Sequence, residues 1–182
     1  MDRKEKIYKL LLNATEKSFT ELFEKYNEQF YYCSLVMMDC STPCISALSM
    51  KAYQQLLEDN ADGNNSSEED KIYFKWCYAE SPFLGFGYKE YFKEVDEFFF
   101  RDVLSEIPYE EVEMRIDDWL ISMRDVMKTL KDKGIFENVS NSKIFLTAEQ
   151  HPSETDYNLE NAKYINDNAV FEIWYKDNRD LY

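Results

Sequence analysis

The sequence predicts an α+β fold, a mostly antiparallel sheet of about four strands packed by a long N-terminal helix and two long central helices. Three observations carry that prediction. Ile7, Leu11, Thr15, Phe19, Leu22 and Tyr26, with Tyr8, Leu12 and Phe23 beside them, recur at three- and four-residue intervals and mark one stripe of an amphipathic helix. FYYCSLVMM, Phe30 to Met38, is apolar at odd and even positions alike, as expected of a strand covered on both faces. Segments with strand and helix patterning do not alternate regularly, so helices laid on a sheet fit better than repeated βαβ units.

After the first strand, DCSTP holds Thr42 extended ahead of Pro43 and turns the chain, so that CISALSM returns as an antiparallel partner before a short helix over KAYQQLLE. Residues 59–70, DNADGNNSSEED, offer no apolar side chain larger than Ala61 and read as a flexible acidic loop inside a single domain of 1–182. Ile72, Phe74, Trp76 and Tyr78 then alternate with Tyr73, Lys75, Cys77 and Ala79, a period of two that predicts a strand with one aromatic face. Pro82, Gly85 and Gly87 break regular structure, and Tyr88, Tyr91, Phe92, Val95, Phe98 and Phe99 resume helical spacing.

Pro108 suits the start of a further helix that carries Val112, Ile116, Trp119, Met123, Val126 and Leu130 on one side and stops at Gly134. KIFLTA, Lys143 to Ala148, is the next expected strand, and HPSETDYNLENAKYI supplies turn and cap residues before a short helix. AVFEIWYK fits either a helix or an edge strand.

With 36 acidic against 21 basic side chains the formal net charge is −15, which repels phosphate backbones and anionic lipid. Nucleic acid and membranes are therefore excluded as expected partners, and a basic protein is the expected one. The N-terminus lacks a signal-peptide pattern, no run of about eighteen apolar residues occurs, and a cytoplasmic location is expected. Cys33, Cys40, Cys44 and Cys77 are expected as reduced thiols, so the sequons at Asn13, Asn64, Asn65 and Asn138 imply no glycosylation.

No cofactor or metal is predicted. Gly85-Phe86-Gly87 lacks a third glycine and is followed by Lys89-Glu90 rather than the phosphate-loop Lys-Ser/Thr, and Cys40-x3-Cys44 has no second cysteine pair to complete a zinc site. His151, the single histidine, precedes Pro152 and reads as a surface turn, near Glu149, Ser153 and Asp156 only in sequence. The candidate binding residues are Glu80, Phe83, Phe86 and Tyr88, in a stretch of 19 residues, FKWCYAESPFLGFGYKEYF, of which eight are aromatic. Glu80 follows the aromatic segment, where a capping or turn role is the first reading and acid or base work beside apolar neighbours the second.

KWCYAESPFLGFGYKEYFKEVDEFF, RIDDWLISMRDVMKTLKDKGIF and KIFLTAEQHPSETDYNLENAKYIN, together with the early FYYCSLVMMD, resemble the bacterial domain-of-unknown-function family 4303. The family carries an Asn-Thr-Glu-like turn where this chain has ALSMKAYQQ, whereas Trp76 and Tyr91 to Val95 fit it as packing positions. The resemblance implies a small bacterial cytoplasmic protein and supplies no catalytic residue. The charge and the aromatic loop point first to a non-enzymatic protein-binding domain of immunity type. An enzyme using a carboxylate near residues 80–88, and a purely structural domain, are the alternatives.

Overall fold

The computed structural model describes residues 1–60, 67–105, 107–137, 139, 143–152 and 156–179. Its elements are α1 (Arg3–Lys25), β1 (Phe30–Met38), β2 (Cys44–Ser49), α2 (Met50–Asp59), α3 (Glu68–Trp76), a 3-10 turn (Tyr78–Glu80), α4 (Tyr88–Tyr91), α5 (Lys93–Phe99), a π turn (Phe100–Leu104), α6 (Tyr109–Asp132), β3 (Phe145–His151), α7 (Tyr157–Ile165) and α8 (Asn168–Asn178). The α+β class holds. The sheet differs from the expectation: among the described residues it has three strands, not four, in the order β2-β1-β3. β1 pairs antiparallel with β2 and parallel with β3. The continuously apolar β1 is central, as its pattern predicts, because only a strand flanked and covered on every side can bury such a run.

The missing fourth strand is α3. Ser67 caps it, accepting from the Asp70 N–H while the Asp70 carboxylate accepts from the Ser67 N–H, and Glu68, Glu69 and Asp70 occupy its positive first turn. These contacts favour helix, and the aromatic alternation yields because Ile72 and Trp76, four apart, share a helix face as well as a strand face. The expected acidic loop is shorter than 59–70: Asp59 ends α2 and Glu68 begins α3, while 61–66 lie outside the described residues, as do Asn64, Asn65 and Asn138. The first of the two central helices is interrupted, running as α4, α5 and the π turn. AVFEIWYK lies within the helix α8.

Both outer strand edges are covered by polar groups, which matters because unpaired backbone groups buried at an edge are costly. Beyond β2, the Gly85 N–H donates to Ile45 O at 2.8 Å, the Ser81 hydroxyl donates to Ala47 O, and Ser46 Oγ donates to Tyr78 O at 2.9 Å. Beyond β3, three asparagines do the work of a missing strand. Asn158 accepts from Gln150 N at 2.9 Å and donates to Gln150 O at 3.0 Å; Asn161 donates to Ala148 O at 2.9 Å; Asn166 accepts from Leu146 N at 2.9 Å and donates to Leu146 O at 2.6 Å. They address residues 146, 148 and 150, the alternate positions whose backbone faces away from β1.

α1 and α6 pack against each other and against the sheet, enclosing Phe19, Leu22, Trp119, Met123 and Leu130. Their N-terminal ends are tied by charge. Arg3 forks onto buried Asp102 of the π turn, with Nε 2.7 Å from Oδ1 and one terminal nitrogen 2.8 Å from Oδ2, and its other terminal nitrogen donates to Asp118. Lys4 Nζ adds a second contact to Asp118 at 2.8 Å. Burial opposes ionisation of Asp118, but hydrogen bonds from Lys4 and Arg3 outweigh it and hold the carboxyl below its ordinary 3.8. A carboxylate with a depressed folded pKa stabilises the fold above its unfolded pKa, and this is lost as pH falls through the folded value. Urea midpoints are therefore expected to drop as pH falls below about 4, and Asp118→Asn to flatten that drop. An unchanged slope in the variant contradicts the assignment.

Candidate functional site

A cleft of about 690 Å³ opens between α3, the 3-10 turn, β3 and α8. Its floor is β3. Thr147, Glu149 and His151 alternate along the strand and so project to the same face. Trp76, Tyr78, Tyr73 and Trp174 form aromatic walls, and Glu69 and Asp177 place two further carboxylates on the lining. A second hollow, of about 780 Å³, lies by Lys131, Lys143 and Asn166. There the two lysines are already paired with Asp167, at 2.9 and 3.5 Å. The cleft's own carboxylates make the more distinctive chemistry.

Glu149 is the centre of that chemistry. Its side chain is only 12% exposed; the Tyr32 hydroxyl donates to Oε1, and His151 Nε2 lies 2.8 Å from Oε2. Full burial, then the neighbouring Glu149 charge, push the Tyr32 phenol well above its usual value, so it remains the donor and the carboxylate the acceptor. The same order of causes, burial and then Glu149, raises Tyr78. The Tyr78 ring lies against the His151 imidazole with centroids 4.4 Å apart. His151 thus ends β3 instead of lying in a surface turn, and its side chain is 35% exposed.

Asp177, also on the lining, is already paired with a cation of the chain that lies outside the lining. Lys75 Nζ stands 2.6 Å from its Oδ2 and 4.7 Å from the centre of the Trp76 ring, while the indole N–H of Trp76 donates to the same oxygen at 3.0 Å. Burial opposes ionisation here too, but the Lys75 and Trp76 hydrogen bonds prevail and keep the Asp177 carboxyl below its ordinary value. Charge, ring face and carboxylate converge on one ammonium group.

The candidate residues at 80–88 are not brought together in this cleft. Glu80 is exposed at the end of the 3-10 turn, with the Tyr73 hydroxyl 3.4 Å away. Phe83 is buried, its ring 4.9 Å from Tyr26 and 5.5 Å from Phe30. Phe86 is half-buried against Tyr26, under the ammonium of Lys25. Tyr88 is half-buried, stacked on Phe92, and its hydroxyl donates to Asp96 at 2.9 Å. The loop between them turns inward because Gly85 and Gly87 both take positive φ, and at Gly87 a Cβ would meet Ser18 Oγ at 2.5 Å.

The four cysteines are free thiols; burial pushes Cys44 up to about 11 and Cys33 well above its usual value. Among the described residues no group of three or more His, Cys, Asp or Glu could hold a metal ion, and no helix is long and apolar enough to cross a membrane.

Fold and cleft together define an acidic α+β domain with a carboxylate floor and aromatic walls. The chain belongs to the family described as Domain of unknown function (DUF4303), which it matches over residues 11–167. All four sequence stretches that resemble the family lie inside that span, whereas α8, which brings Trp174 and Asp177 to the cleft, lies beyond it. No curated protein and no solved structure matches the chain.

Proposed function

We propose that the chain acts as one non-enzymatic, protein-binding domain of immunity type in the bacterial cytoplasm, neutralising a basic protein by covering it. The observation that carries this reading is the cleft, lined by Glu69, Glu149 and Asp177 among aromatic rings in a chain of net charge −15. A field of that sign draws a basic partner in, and the half-buried carboxylates of Glu149 and Asp177 beside flat rings give it specific contacts. The exposed side of α6 adds area of the same character, with Glu110, Glu113 and Asp117 beside Met114 and Ile121, which are 57% and 43% exposed. Glu80, the carboxylate on which the enzymatic alternative relies, is exposed and outside the cleft lining.

Immobilised chain is expected to retain a basic protein at low ionic strength, and the purified pair to lose about tenfold in affinity by about 0.5 M salt, where the screening length falls to a few ångströms. Retention of no basic protein at low salt, or an affinity indifferent to salt, overturns the reading.

A further inference from the structure

We propose that Glu149 is the anchor for a guanidinium group, an arginine side chain of the basic partner, seated in the cleft between the Trp76 and Tyr78 walls. This inference rests on the protein-binding reading for the source of the group, though not for its chemistry.

A carboxylate offers about four acceptor directions, two per oxygen. On Glu149 the Tyr32 hydroxyl takes one at Oε1 and His151 takes one at Oε2. One direction on each oxygen is left, and a planar guanidinium fork brings two parallel donors to the two oxygens of a carboxylate. An ammonium group, a point charge, has no use for that pairing. The same two contacts fix the carboxylate before any ligand arrives, so little rotamer freedom remains to be lost on binding.

The walls point to the same group. Guanidinium is flat, weakly hydrated and stacks on aromatic faces. Two lining residues already hold a cation from outside the lining, the Lys75 ammonium, which Asp177 and the Trp76 ring both contact. With Asp177 so engaged, Glu149 is the deeper carboxylate left to receive a second cation. Among the described residues its side-chain contacts are to Tyr32 and His151, and neither is a lysine or arginine.

The test uses intrinsic fluorescence, because two of the three tryptophans, Trp76 and Trp174, line the cleft. N-acetyl-arginine methylamide is titrated beside its uncharged citrulline counterpart and the lysine counterpart. The arginine probe is expected to change the emission saturably with a Kd on the order of 1 mM, and the citrulline probe to bind at least about tenfold more weakly, the loss of one charge-assisted contact. The lysine probe falls between them. Glu149→Gln is expected to weaken the arginine probe by about tenfold, and Tyr78→Leu by about threefold.

Equal binding of the arginine and citrulline probes overturns the inference, and so does wild-type affinity in Glu149→Gln. The probe comparison is made on the unaltered chain, so it decides even if that variant folds poorly. Recovery of a basic partner together with equal binding of the two probes sinks the guanidinium site alone. Selective binding of the arginine probe without any basic partner sinks the protein-binding reading and leaves the site standing.

Discussion

Asp102→Ala is expected to destabilise the fold by about 3–5 kcal/mol, lowering the denaturant midpoint more than any surface substitution. The carboxylate is 6% exposed and accepts from two donor residues, with a second cation, Arg115, at ion-pair distance. Arg3 forks onto it, Trp119 Nε1 donates to Oδ2 at 2.8 Å, and an Arg115 terminal nitrogen stands 3.7 Å from Oδ1. Removing it leaves the indole N–H of wholly buried Trp119 without its acceptor and strips two bonds from the Arg3 guanidinium, which keeps Asp118. Asp102→Asn keeps one acceptor oxygen and should lose distinctly less. Replacing Arg3 and Asp102 together by apolar residues should also lose less than Asp102→Ala, because no unpaired charge is left behind. If the alanine variant proves the mildest of the three, the network does not anchor α1 to the π turn.

That network shows where sequence reasoning reaches and where it stops. α1, β1 and α6 are legible because each carries a periodic signal along its own length: a stripe at three- and four-residue spacing, or an apolar run too dense for a one-sided strand. Arg3, Asp102 and Asp118 carry none, since their meeting depends on how α1, the π turn and α6 are packed. α3 was open to misreading for a more local reason. Positions 72, 74, 76 and 78 satisfy a period of two, and 72 and 76 also satisfy a helical period, so the deciding information lies upstream in Ser67 and Asp70, inside what reads as a polar loop.

The site follows the same rule. Aromatic density draws attention to 80–88, but Ser81 and Gly85 fasten that loop to the β2 edge and Phe83 joins the core. Glu149 and His151 are two apart, and an expected strand ending at Ala148 separates them from any common face. Extending β3 to His151 restores the alternation and with it the contact. The remaining partner, Tyr32, comes from β1 across the parallel pairing of β1 with β3, for which a single sequence holds no local sign.

Asn166→Ala is the second large effect, about 2–4 kcal/mol, because it strips two backbone groups at once. Leu146 is 2% exposed, and both its N–H and its C=O are bonded to the Asn166 amide. Asn158 does the same at Gln150, because a primary amide presents a donor and an acceptor side by side. Asn166→Asp keeps the acceptor for the N–H but sets a carboxylate against the Leu146 carbonyl, so it should be no better than alanine. Asn161→Ala removes a single bond, to Ala148 O, and should cost about 1 kcal/mol. The order Asn166 above Asn161 in urea denaturation checks the edge-pairing account. Hydrogen exchange gives the finer test, with protection of the Leu146 amide falling first in Asn166→Ala. An exposed β3 edge also invites pairing with another chain, so the variant is expected to self-associate in light scattering where the unaltered chain does not. Because Glu149 and His151 stand on the same strand, loosening that edge should weaken the arginine probe as well, without either cleft residue having been touched.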